Sequence, residues 1–385
     1  GARRMNNTPG NRQTAADHVR SSRSFPTTAH VRWQNLAATA LTADSIRRYL
    51  RQLGITEQIL IHEQNYQQFL EEKGLTELGR GGEGTVYFLR GHVVKVANPD
   101  SALAALRESA HMLHLNRMAY ASGSMGERFR DDYPSLLWVY VLSDGSISIG
   151  MKPFDTNDSI PGATLFERLM FGPTLDRRQC IQIIKGLCES LIHSHRNGIV
   201  HHDLKPANIY IPADINRKPV VFDLGQALWQ QSSWGKAWLR HEHNAHYWYN
   251  GTYRYMQHHR RLAHLAALAV SEGRAPSPMQ AAAFRSYIPG FYDDVIAYAR
   301  ILRDIIRSRH VALLASDRNA IQRLYQKLMG LKRKRGAGAT EKKEGSGLIA
   351  RLSSVFRPTE TATIELRPEQ RWASMDHVQP EVEKL

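Results

Sequence analysis

The chain has 385 residues, 42% of them hydrophobic and 23% charged, enough to bury one large core or two modest ones. These proportions exclude a wholly disordered chain, and no run of about 18 apolar residues exists to span a membrane. The formal charge of +15 favours anionic partners, nucleic acid among them, although a solvated basic surface is the preferred reading. Cys180 and Cys188 fall in one helical pattern at a spacing too long for a disulfide, which fits a reducing compartment.

Residues 1–40 are rich in Arg, Ser, Thr, Asn and Ala, with Asp17 as their only acid, and are expected to form a disordered basic N-terminus. The same composition would suit a transit peptide or a bacterial secretion signal. A helical extension is expected over 41–74. Its first helix starts at Thr42 and carries Ile46, Tyr49, Leu50 and Leu53 on one face. The second, over 62–73, carries Tyr66, Phe69 and Leu70, which should pack on the domain that comes next.

That domain is expected over 75–382. Leu78 to Phe88 reads as strand, glycine turn, strand, with Gly79, Gly81 and Gly84 letting the backbone approach phosphates and Val86 after them. Alone, this glycine pattern is shared with Rossmann proteins, where it opens a helix, and with ordinary hairpins. Next, Lys95 is embedded in the apolar run Val93-Val94-Lys95-Val96-Ala97, where a buried ammonium needs an anionic partner. The helix predicted over 101–118 contains a single acid, Glu108. Strands over 136–142 and 146–152 are joined by Ser143-Asp144-Gly145. A long amphipathic helix over 175–197 buries Ile181, Ile184, Leu187, Leu191 and Ile192, with both cysteines in its core or flank.

The chemistry concentrates beyond that helix. In Ile199-Val200-His201-His202-Asp203-Leu204-Lys205-Pro206-Ala207-Asn208-Ile209, Asp203 can accept a proton from a hydroxyl and Asn208 can hold a magnesium ion. Two short strands, 209–211 and 220–222, then lead into Asp223-Leu224-Gly225, a carboxylate at a strand end beside a glycine.

These pieces, in this order, resemble the eukaryotic-type Ser/Thr protein kinases. Asp203 and Asn208 match the catalytic-loop pattern H-R-D-x-x-x-x-N, Lys205 its Asp-Leu-Lys-Pro form, and Asp223 the D-F-G with Leu for Phe. The resemblance implies an α+β bilobal fold. A small β-rich N-lobe would cover 75–152, a hinge lie near 150–156, and a larger helical C-lobe fill 157–382. It also implies ATP and Mg2+ as cofactors and a γ-phosphate transferred to Ser or Thr hydroxyls of a protein substrate. Asp203 would be the base, and Lys205 would neutralise the transferring phosphoryl group. Gly79, Gly81, Gly84 and Val86 would cover the nucleotide, Lys95 and Glu108 orient its phosphates, and Met151 lie near the adenine. Asn208 and Asp223 would hold the metal.

Further on the resemblance loosens. Gly251-Thr252-Tyr253-Arg254-Tyr255-Met256 resembles the end of an activation segment, but Gln257-His258-His259 replaces Ala-Pro-Glu. Asp294 matches the buried Asp that braces the catalytic loop, and Arg371 the Arg that normally meets the missing Glu. Insertions are expected at 258–290, helical, and at 331–365, a flexible loop that includes the basic block Lys332 to Arg335. His202 stands where many kinases carry the Arg that receives a phosphorylated activation loop, so activity is expected without that phosphorylation. The segment 229–249, with four Trp, could fold on the lobe or dock a partner.

Two readings of another kind stay open: a pseudokinase scaffold that binds nucleotide or a partner without turnover, and a small-molecule phosphotransferase. The departures from the eukaryotic pattern suggest a bacterial kinase working in the cytoplasm, or a secreted effector working in a host cell. An activating partner is left open.

Overall fold

The computed structural model describes residues 59–61, 66–81, 84–89, 91–123, 129–155, 162–214, 216–230, 252–287, 289–330 and 375–385. The basic N-terminus, the helix expected from Thr42, most of the Trp-rich segment, the 331–365 insertion and Arg371 lie outside the described residues.

The N-terminal half runs β1 (Ile59–Ile61), α1 (Tyr66–Lys73), β2 (Thr76–Arg80), β3 (Gly84–Leu89), β4 (His92–Ala97), α2 (Ala102–Ala121), β5 (Leu136–Val141) and β6 (Ile147–Met151). Its strands form one sheet in the order β1-β5-β6-β4-β3-β2, antiparallel except where β1 joins β5. Side chains alternate faces along a strand, and β4 packs accordingly on two different layers. Val94 and Val96 pack with Phe69, Tyr87 and Leu142 beneath α1. Val93 and Ala97 pack with Leu106 and Ala110 of α2 on the other face. Lys95, in phase with the second pair, is thereby directed toward α2.

α1 closes the outer face of the sheet. Phe69 is fully buried there, the Tyr66 and Tyr87 hydroxyls are hydrogen-bonded, and Asp144 accepts from the Tyr66 N–H at 2.9 Å. Two glycines serve packing. A Cβ on Gly84 would sit 2.3 Å from the Val96 carbonyl oxygen, and one on Gly150 would fall 2.1 Å from the Trp138 ring.

The C-terminal half is mainly helical. It runs β7 (Ala163–Thr164), α3 (Leu165–Phe171), α4 (Arg177–Arg196), β8 (Ile199–Val200), β9 (Ile209–Ile211), β10 (Val220–Val221) and β11 (Leu228–Trp229). Then come α5 (His258–Ser271), α6 (Pro278–Ser286), α7 (Phe291–Arg307), α8 (Ala315–Leu328) and α9 (Gln379–Val382). Local sequence sets several helix starts. Thr164 with Glu167, Asp176 with Gln179 and Ser277 with Gln280 form reciprocal capping boxes, each satisfying two otherwise orphaned backbone donors.

Along α4, Ile183 is buried and Ile181 only half-buried, a departure from the expected face. Cys180 and Cys188 are buried free thiols, and burial pushes both up to about 12. A β-rich N-terminal lobe on a helical C-terminal one is the bilobal α+β fold expected. No helix among the described residues is long and apolar enough to cross a membrane.

Candidate active site

A cavity of about 530 Å3 opens between the two lobes. Its apolar wall includes Val86, Val93, Met151 and Phe222; its polar floor includes Lys95, Glu108, Asp203, Lys205 and Asp223. Gly79, Gly81 and Gly84 line its rim. Among the described residues, nothing beyond its own chain neighbours lies within 4 Å of the Cβ that Gly79 lacks, so the space above it is open to a ligand.

Lys95 delivers its ammonium to the floor. Nζ lies 2.6 Å from Glu108 Oε2 and 3.2 Å from Asp223 Oδ1, and the Glu108 side chain is 4% exposed. Burial raises the Asp223 carboxyl, but the Lys95 charge and hydrogen bond outweigh it and hold Asp223 below its ordinary value. Asp223 therefore stays ionised with a third of its side chain exposed, at a backbone φ of +64° rarely adopted outside glycine.

Opposite stands Asp203. Lys205 Nζ lies 2.6 Å from its Oδ2, and the Thr252 N–H donates to its Oδ1 at 3.1 Å. Asn208 Nδ2 donates to the Asp203 carbonyl at 2.9 Å, which leaves Asn208 Oδ1 as that side chain's acceptor. Of the expected site residues, Asn208 is the one that does not itself line the cavity. It is 4% exposed, yet its carbonyl accepts from Phe222 N–H at 3.0 Å, which ties it to the segment carrying Asp223.

The loop bearing Asp203 is fixed from below by Asp294 on α7. Its Oδ2 accepts from the His201 N–H at 2.8 Å and its Oδ1 from the His202 N–H at 2.9 Å. His195 accepts from the Met375 N–H on Nδ1, so its Nε2–H donates to Asp294 at 2.9 Å. Burial raises the Asp294 carboxyl; these hydrogen bonds prevail and keep it below the ordinary carboxylate value. His201 uses both nitrogens on the loop, facing the Phe222 carbonyl through Nε2 and the Asp203 N–H through Nδ1.

Several contacts have no signature in the sequence. On α2, His111 Nδ1 lies 3.0 Å from the Leu224 carbonyl and Arg107 Nη2 3.5 Å from that of Gly225, so two residues near Glu108 on this helix hold the turn after Asp223. Burial drives His111 down to about 3, leaving it neutral. Tyr210 donates to Asp155 at 2.8 Å, anchoring the chain just after β6. The pair α5–α6, read as an insertion, sends Arg260 to His202, and Tyr287, just past α6, meets the same histidine. A histidine amid an apolar helix face, or a tyrosine dozens of positions away, carries no local pattern that marks such a role.

No protein-family model matches the chain. It is similar to the serine/threonine-protein kinase PknB of Mycobacterium leprae, 31% identical over 162 residues, which are 40% of this chain and 24% of that protein. PknB of Mycobacterium tuberculosis is 29% identical over 157 residues, 39% of this chain and 24% of the relative. A probable serine/threonine-protein kinase of Streptomyces coelicolor is 29% identical over 155 residues, 39% and 22% respectively. The chain thus spans about a quarter of the length of the curated relatives it matches.

Proposed function

We propose, on the premise that the chain is a divergent member of the eukaryotic-type Ser/Thr protein kinase family, that it transfers the γ-phosphate of ATP to Ser or Thr hydroxyls of proteins. The observation that carries this reading is the convergence on one cavity of the Lys95–Glu108–Asp223 cluster and the Asp203–Lys205 pair. A strand lysine between two carboxylates is matched to a polyphosphate, which needs one fixed cation and a metal site beside it.

The cavity fits a nucleotide. Its apolar wall at Val86, Met151 and Phe222 suits a planar base, and Gly79 and Gly81 leave backbone uncovered where phosphates would lie. Asn208 Oδ1 and the ionised Asp223 are hard oxygen donors of the kind magnesium takes, and these two residues would hold it. The ion supplies neutralisation of phosphate charge when bound.

The remaining work falls to the chain. Glu108 fixes Lys95, and Lys95 would orient the nucleotide phosphates. Asp203, with Oδ1 held by the Thr252 N–H, would accept the hydroxyl proton, while Lys205 would offset charge on the transferring group. Nearly all of this is positioning and charge placement rather than covalent chemistry.

Incubation with γ-labelled Mg-ATP and either a generic basic protein or a panel of aminoglycosides and sugars tests the reading. Label on Ser or Thr of protein supports it. Label only on the small molecules replaces it with a small-molecule phosphotransferase. Nucleotide binding with no transfer to any acceptor replaces it with a scaffold.

A further inference from the structure

The residue before Asp203 is held in an unusual way. His202 has φ +68°, a left-handed conformation uncommon outside glycine, and it is 3% exposed. Its N–H is taken by Asp294. Besides a backbone hydrogen bond at Gln226, its other contacts come from the α5–α6 pair and the start of α7. Arg260 Nη1 donates to the His202 carbonyl at 2.7 Å, with Nη2 3.4 Å from His202 Nδ1. The Tyr287 hydroxyl lies 2.8 Å from His202 Nε2, and the two rings run nearly parallel at 10°. Tyr287 in turn donates to Asp293 Oδ2 at 2.8 Å, standing between that carboxylate and a His202 nitrogen 3.9 Å from it.

The donors and acceptors run in one direction. Because the Tyr287 O–H is spent on Asp293, its oxygen accepts from His202 Nε2–H, and His202 Nδ1 is left to face the Arg260 guanidinium. The imidazole is therefore neutral; burial, reinforced by the Arg260 charge, drives its pKa well below the ordinary value. Arg260 is itself 3% exposed, so this cation is built into the fold.

We infer that Arg260 and Tyr287 are positioning residues for Asp203: through His202 they hold the catalytic loop in its working geometry without a phosphate on the activation segment. The inference rests on the kinase reading and deepens it by naming how the site is assembled. The expectation of phosphorylation-independent activity, drawn from His202 alone, acquires a physical basis, since a fixed internal guanidinium occupies the place beside this position. The α5–α6 pair is then a brace for the catalytic loop.

The test uses the full chain and Tyr287→Phe, which removes one hydroxyl and keeps the ring. Amide hydrogen exchange over 199–209 without nucleotide is compared with phosphate transfer at saturating ATP. The brace predicts faster exchange at 201–204, a kcat lowered about tenfold to a hundredfold, and a KM for ATP within about twofold of wild type. Arg260→Lys, which keeps the charge but loses the paired donors, should show the same split to a smaller degree. Unchanged exchange in Tyr287→Phe overturns the brace. Faster exchange with unchanged kcat overturns the positioning role and leaves a structural one. If wild type transfers no phosphate to any acceptor, the kinase reading fails, and the exchange comparison still decides whether α5–α6 fixes the loop.

Discussion

Lys95 and Glu108 meet at 2.6 Å although they come from a strand and a helix, and Asp223 reaches the same ammonium at 3.2 Å from the far lobe. One cation thus ties together β4, α2 and the turn after β10. Lys95→Met should abolish phosphate transfer. It should also cost about 3 kcal/mol of stability, because the buried Glu108 carboxylate loses its ammonium. Adding Glu108→Leu should recover most of that stability and none of the activity. Denaturant unfolding of the two variants checks it; equal stabilities would show that the pair is not coupled.

Much of this site was readable from the sequence because each of its residues sits in a short motif of its own, although the contact between Lys95 and Asp223 spans 128 positions. Lys95 stands out as the single charge in an apolar strand, and the period of that strand sends it toward α2. Asp203, Asn208 and Asp223 sit on short connections whose spacing the chain itself fixes. Arg260, Tyr287, His111 and Asp155 were not readable, since what they hold lies dozens of residues away in sequence. Even the burial of Ile183 rather than Ile181 depends on which neighbour α4 meets, not on its own periodicity.

The glycines of the rim separate into two kinds. Gly84→Ala places a methyl 2.3 Å from the Val96 carbonyl oxygen, a backbone atom that cannot swing aside, so β3 and β4 must part. A loss of about 1–3 kcal/mol is expected. Gly79→Ala enters open space and should leave stability within about 0.5 kcal/mol while weakening nucleotide binding. Thermal melts with and without Mg-ATP distinguish the two; a destabilised Gly79→Ala would refute the assignment.

Asp132 offers a test by pH. Burial raises its carboxyl to about 7 despite Lys218 Nζ at 3.3 Å. Between an unfolded value of about 4 and this folded value, the folded chain binds more protons than the unfolded one. The carboxyl's contribution is therefore full below pH 4 and lost as pH rises through about 7. Asp132→Asn should be more stable than wild type at pH 8, with the gap closing toward pH 4. Unfolding midpoints across that range report it, and a constant gap would contradict the burial argument.

Asp294 works with the opposite sign. Its carboxyl is held below the ordinary value, so its stabilisation is present above about pH 4 and fades as pH falls below that. Asp294→Ala removes the acceptor of the His201 and His202 N–H groups and of His195. It should cost about 3–5 kcal/mol and silence the site. An active, stable Asp294→Ala protein would mean that the catalytic loop is held by other contacts.

If α5–α6 already braces His202, phosphatase treatment should leave the rate of transfer unchanged. Mass spectrometry of the treated protein would verify that residues 226–256 carry no phosphate. A rate that collapses on treatment and returns after incubation with ATP would show that the loop needs a phosphate after all.

The most direct measurement is single-turnover transfer of γ-labelled phosphate from Mg-ATP by wild type and Asp203→Ala, with ATP affinity determined on the same samples. Asp203 as the proton acceptor predicts affinity within a few-fold and transfer reduced by about a hundredfold or more. Transfer by Asp203→Ala at the wild-type rate would contradict the assignment of this cavity's chemistry.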